Sequence, residues 1–258
     1  MTAPPEPGVE ARTGGVPKAA ITDDAPLPEE SRARHGNALR AGVLGSTDGL
    51  VSNLSLVAGV AGAGAPHQAI VVAGLAGLVA GSLSMALGEY LSVQSARELL
   101  ANELVIEAAQ LAASPESEVV ELRAIYERKG IPAPMAAELA EHMVRSDPKL
   151  ALDTMAREEL GFDPDELGGS PWVAAVTSLA LFALGAFVPL LPFLLTNGQP
   201  ALIAAATLSG VAIFSLGAGI TRLTGVHPVR SGLRQLAFGA TAATIMYGIG
   251  VVIGSSLR

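Results

Sequence analysis

The chain contains no cysteine. That excludes disulfides and every metal site built on thiolates. Histidine is scarce too, with four in 258 residues, and no HxxxH, CxxC or ExxH pattern occurs. Carboxylates would have to supply most of any metal site. Charge is thin: Asp, Glu, Lys and Arg make up 16% of the chain, where a soluble domain carries about a quarter. Aromatics are only 4%, so Trp172 and Tyr247 mark interfaces without forming a belt. No apolar block holds a pair of aspartates or a Ser–His pair, and an intramembrane hydrolase would need one or the other.

What fills the chain instead is apolar sequence, half of all residues, with a mean hydropathy of +0.46. It falls into blocks of about 20 residues or more with almost no charge, the length of a helix that crosses a bilayer core of roughly 30 Å. The blocks carry no polar stripe, which a large soluble helical core would show. Five are read: Asn37 to Ala63, Ala69 to Leu91, Pro171 to Leu195, Ala201 to Leu223 and Leu233 to Leu257. Residues 1–36 hold six of the 17 prolines and no apolar core segment; they are expected to be a disordered tail. The predicted fold is an all-α integral membrane protein. Its parts are the tail (1–36), two transmembrane helices (37–93), an acidic helical insert (94–170) and three more transmembrane helices (171–258).

The insert differs in kind. It holds 16 Asp and Glu against 7 Lys and Arg, a net −9, within a chain of net −8. No breaker follows Leu91, so the second membrane helix should project well beyond the bilayer, to Ser114-Pro115. Three helices should follow: Pro115 to Lys129 closed by Gly130, then PMAAELAEHMVRS, then DPKLALDTMAREELG closed by Gly161. Five spans alternate sides. With the tail cytoplasmic, the tail with its first flank, the insert and the HPVRSGLRQ loop with the preceding Arg222 share one side and hold 15 of the 16 basic residues. The two opposite turns, GAGAPHQ and TNGQP, hold none. This asymmetry puts tail and insert in the cytoplasm and the C-terminus outside. With no organelle signal in view, the expected membrane is a bacterial-type plasma membrane, with a vacuolar membrane as the alternative.

One carboxylate breaks the apolar pattern. In LGSTDGLVSNLSLVAGV, Asp48 lies about ten residues into the first block, roughly 15 Å deep. A bare carboxylate there costs a few kcal/mol or more, so it marks a path for ions or protons unless Ser46, Thr47 or Ser52 simply satisfies it. In GSLSMALGEYLS of the antiparallel second block, Met85 comes to a similar depth. Glu89 lies one turn nearer the cytoplasm, and Ser82 extends that face. A methionine in an apolar helix is most often packing; beside a membrane carboxylate it offers a thioether. Carboxylate plus thioether suits Fe²⁺, Mn²⁺, Co²⁺ or Zn²⁺ and gives little to Mg²⁺ or Ca²⁺. In the insert, Glu103 and Glu107 are one turn apart on the extended second helix, Glu118 and Glu121 three apart on the next, and Met155, Glu158 and Glu159 lie on the third. Each set alone is an ordinary solvated face. Three such faces fused to a membrane path suggest a cation-collecting module.

These residues resemble the vacuolar iron transporter family. The resemblance runs from Asn37 to the end and rests on STDGLVSNLSLVAGVAGA, SMALGEYLS, the insert ending in AREELG, GAFVPLLPF and the closing YGIGVVIG. It implies five spans, a homodimer with an ion path at its interface, and export of Fe²⁺, often with Mn²⁺, in exchange for protons. Asp48 and Met85 match the family's membrane-path acid and methionine. Glu107, Glu118, Glu121, Met155 and Glu158 match ligands of its cytoplasmic metal-binding domain. Gln110 stands where another Glu is expected, and Thr154 where a second Met can occur.

The reading is a proton-coupled divalent metal exporter and not an enzyme. Asp48 and Met85 form its path, with Glu89 as a candidate proton carrier. Its candidate metal residues in the insert are Glu103, Glu107, Gln110, Glu118, Glu121, Met155, Glu158 and Glu159. Fe²⁺ or Mn²⁺ is substrate, no prosthetic group is expected, and the partners are metal ions, protons, lipid and a second copy, not nucleic acid. The alternative is a membrane-anchored metal-binding or sensing protein without transport, which would have no need of Asp48 at mid-depth.

Overall fold

A computed structural model describes residues 28–164 and 169–256. Every regular element among them is helical. Helix α1 runs Pro28–Gly62 and α2 His67–Ala113, followed by α3 (Pro115–Arg128), α4 (Ala133–Val144) and α5 (Pro148–Met155). Then come α6 (Pro171–Leu195), α7 (Gly198–Gly219), the one-turn α8 (Thr221–Thr224) and α9 (Pro228–Ser256). Residues 1–27 of the expected tail lie outside the described residues. Its last stretch, from Pro28, is already helical and opens α1.

Among the described residues four helices are long and apolar enough to cross a bilayer: α2, α6, α7 and α9. Helix α1, which is not among the four, carries Ser46, Thr47, Asp48, Ser52, Asn53 and Ser55 within its apolar run. α2 has 47 residues, about 70 Å of rise, more than twice a hydrocarbon core. Its C-terminal part packs against α3 and α5.

Small residues set the packing around the site. A Cβ on Gly49 would collide with the Phe182 carbonyl, and one on Gly185 with the Ser46 carbonyl, so α1 and α6 touch backbone to backbone. This is how membrane helices gain contact where lipid supplies no hydrophobic drive. α2 lies along α6 with Ile70, Gly74, Ser82 and Ala86 buried, and Gly81 sits directly under the Phe182 ring. Pro189 and Pro192 lie inside α6.

The insert has its own apolar centre: Leu122, Tyr126, Ala136, Ala140, Val144 and Met155, with Leu111 of α2 packed against it. Asp147 caps α5 by accepting from the Lys149 amide at 2.9 Å. α5 does not continue as the single α-helix expected. It passes into a π-helical turn, Ala156–Leu160, which ends at Gly161 with φ 75°. The chain returns to the membrane part beside α2. Arg97 donates to the Gly169 carbonyl at 3.0 Å, and Tyr90 and Trp172 meet edge to face, 4.9 Å between centroids.

Candidate metal path and acidic cluster

Two arrangements carry chemistry. The first is an open cavity of about 360 Å³ lined by α1, α2 and α6, whose walls include Asp48, Ser52, Asn53, Ser84 and Met85. Sequence spacing brought Asp48 and Met85 to similar depth, and the structure puts them on one wall. Met85 lies over Gly45, with its Sδ 3.7 Å from where a Cβ would stand. Gly45 is one turn from Asp48, so the thioether sits about 4.5 Å to one side of the carboxylate's level along α1. Asp48 itself is exposed. Ser52 Oγ donates to the Asp48 backbone carbonyl at 2.6 Å, which leaves the carboxylate available to the cavity. A carboxylate, a thioether and hydroxyls can strip and pass a borderline divalent cation.

The expected face on α2 is corrected in part. Ser82 is buried and donates to the Val79 carbonyl; Ser84 lines the cavity in its place. The rotation follows from α6, whose Phe182 takes the Gly81 side of α2. Glu89 is half-buried and is not among the cavity's walls.

The second arrangement is in the insert. Carboxylate oxygens of Glu107, Glu118 and Glu159 lie within 4.8 Å of one another. Glu107 is 2% exposed and Glu118 3%, and Glu107 Oε1 has no hydrogen-bond partner. Burial, then the charges of Glu159, Glu118 and Glu121, push the Glu107 carboxyl up to about 7. Burial and then Glu121 raise Glu118, and burial, then Glu121 and Glu118, raise Glu159. Each group disfavours its own charged form. A divalent cation would reverse that, as would protons.

The other expected ligands go elsewhere. Met155 is fully buried in the insert's apolar centre with Leu122 and Tyr126. Glu158 pairs with Lys129. Within the π turn the exposed Glu159 reaches Glu107 and Glu118, while the half-buried Glu158 next to it turns to Lys129. Glu121 is exposed but close enough to act on all three acids. Glu103 is half-buried and outside the cluster. Gln110 is exposed and lines a second open cavity, of about 430 Å³, together with Ser114, Ser117 and Glu118.

A profile of the VIT family matches residues 39–251. The chain belongs to this family. It is 32% identical to vacuolar iron transporter 1 of Arabidopsis thaliana over 222 residues, 84% of this chain and 87% of that one. It is 31% identical to vacuolar iron transporter 1 of Oryza sativa subsp. japonica, over 92% of this chain and 94% of that one. A vacuolar iron transporter of Acanthamoeba castellanii is 39% identical over 153 residues, 59% of this chain and 54% of that one. These VIT relatives are transporters rather than enzymes by name, and the chain, like them, is an integral membrane protein.

One residue of the VIT chain's cavity escaped the sequence reading. Asn53 is 2% exposed and forms part of the wall with Asp48. The available signal was position: Asn53 follows Asp48 by five residues in the same apolar block, and an amide there also needs a partner.

Proposed function

We propose that this chain is a proton-coupled exporter of divalent transition metal, Fe²⁺ first and Mn²⁺ second. The observation that carries the reading is the meeting of Asp48 and Met85 in one cavity among membrane helices. In this reading α1 is the first of five spans and the insert lies in the cytosol. There Glu107, Glu118 and Glu159 collect the ion, with Glu121 holding their field. The ion then reaches Met85 and Asp48 past Glu89, shedding water to the thioether and the carboxylate. Once Asp48 has released metal on the far side it takes up a proton, and it returns that proton to the cytosol. Glu89 is the second candidate carrier.

The exposure of Asp48 supports a homodimer: a mid-depth carboxylate on an open wall needs a second copy to shield it from lipid. The iron named for the relatives supports Fe²⁺, and the donor set extends the range to Mn²⁺. The expected location stays the plasma membrane, and finding a tagged chain on a vacuolar membrane would replace it. The functional test is flux of Fe²⁺ or Mn²⁺ into liposomes holding the purified chain. The expected result is metal entry that Mg²⁺ and Ca²⁺ inhibit poorly. Equal transport of Mg²⁺ would remove the role of Met85.

A further inference from the structure

Asn53 is held in a way that fixes which end of its amide is free. Its Nδ2 donates to the Ala186 carbonyl of α6 at 2.6 Å. A carbonyl can only accept, so the amide must present nitrogen there and oxygen on its other side. That oxygen, Oδ1, is buried and has no hydrogen-bond partner. It lies toward α2 at Gly77: a Cβ added there would stand 2.8 Å from it. Both Asn53 and Gly77 line the cavity that contains Asp48. An unpaired, rigidly aimed carbonyl oxygen in a membrane protein's interior is costly unless something with positive charge or a proton to donate visits it.

The register of the two helices gives its place. α1 and α2 run antiparallel, with Gly45 opposite Met85 and Asn53 opposite Gly77. Eight residues separate the two levels on each helix, about 12 Å. Asp48 falls between them, about 7.5 Å short of Asn53. The donors therefore form a series: thioether, carboxylate, neutral amide oxygen.

We propose that Asn53 Oδ1 is the oxygen donor that takes a divalent cation, directly or through one water, beyond Asp48, and that Gly77 keeps the space at that oxygen open. This rests on the transport reading and adds a residue to it. A neutral donor after a charged one makes chemical sense. An ion leaving a carboxylate needs a ligand that replaces part of its hydration without holding it as strongly, since passage requires binding weak enough to leave.

The test uses the full chain in liposomes with Mn²⁺. Gly77→Ala removes neither group of the Asn53–Ala186 bond and fills the space at Oδ1. The expected result is maximal flux lowered by about tenfold, the equivalent of one charge-assisted contact. Half-saturation should stay near wild type, because collection from the cytosol is untouched. Asn53→Leu should lower flux similarly, and it also removes the tie to α6, so its melting temperature is measured alongside. The added Cβ would also press on Leu56. The pair Leu56→Ala with Gly77→Ala removes that clash and should remain slow. Recovery of wild-type flux in the pair would show that Leu56 caused the loss and would overturn the proposal. So would wild-type flux in Gly77→Ala alone. If Asp48→Asn is inactive while Gly77→Ala is normal, transport through the cavity stands and the role of Asn53 falls. If wild-type liposomes carry no metal, both fall.

Discussion

The membrane cavity and the acidic cluster solve opposite problems with the same ligand type. In the insert three carboxylates crowd within 4.8 Å, and burial with the charge of neighbouring glutamates raises the pKa of each. In the membrane part a single carboxylate, Asp48, shares its cavity with a thioether, hydroxyls and an amide. In the proposed reading the dense cluster captures the ion and the sparse cavity passes it. Each can be broken without the other.

The largest separation should come from Asp48→Asn. It keeps shape and removes charge, and flux should fall by about a hundredfold or more, the scale of losing a strong charge-assisted contact. Mn²⁺ binding to the insert, followed by calorimetry on the same full-length protein, should be unchanged. A parallel loss of binding would mean that the two regions are not separate.

The reverse variant is Glu107→Gln. It should weaken metal binding by about tenfold to a hundredfold, the cost of one charge-assisted contact. Half-saturation for transport should rise accordingly, with maximal flux at high metal retained. A collapse of maximal flux would make the cluster part of the gate.

A third difference appears with pH. Glu107 titrates at about 7 in the folded protein against 4.5 ordinarily, so between those values the folded state holds more protons than the unfolded one. By linkage its contribution to metal-free stability is full below pH 4.5 and is lost as pH rises through 7. Metal binding runs the other way, since the ligand must be deprotonated. Affinity should rise from pH 6 to pH 8, and the metal-free melting transition of the insert should weaken over the same interval. Titration calorimetry and thermal scans at both pH values check the two signs. In Glu107→Gln both trends should flatten.

Smaller effects test the boundary of the cluster. Met155→Leu should leave metal affinity within about twofold and cost less than about 1.5 kcal/mol, a volume-conserving change in an apolar centre. A large loss of affinity would return Met155 to the ligand set implied by the family resemblance. Gln110→Glu adds an exposed charge, screened by solvent, to a cavity that Glu118 also lines, and should alter affinity by less than about fivefold.

What the sequence made legible follows the strength of its physical signals. Block length alone located α6 to the residue, and charge density marked the insert, because burial in lipid and solvation by water leave opposite compositions. Asp48 stood out for the same reason. Facing directions were harder. Ser82, Met85 and Glu89 share a helical stripe in sequence, but α6 packs against Gly81 and turns Ser82 away. The π turn at Ala156–Leu160 was invisible to a period of 3.6, and Glu158 and Glu159, read only as acids of the third helix, take different partners, Lys129 and the cluster. Asn53 was missed because an amide carries no charge to contradict its apolar neighbours; only its bond to Ala186 reveals a free oxygen.

The measurement closest to the central claim is simultaneous recording of metal and pH inside liposomes that hold the wild-type chain. An inward Mn²⁺ or Fe²⁺ gradient is applied, and Asp48→Asn serves as the paired control. The account predicts metal entry accompanied by proton exit, so that the lumen becomes more alkaline, with both signals absent in the control. Metal entry without a pH change would contradict proton coupling, and equal metal entry in the control would contradict passage through the Asp48 cavity.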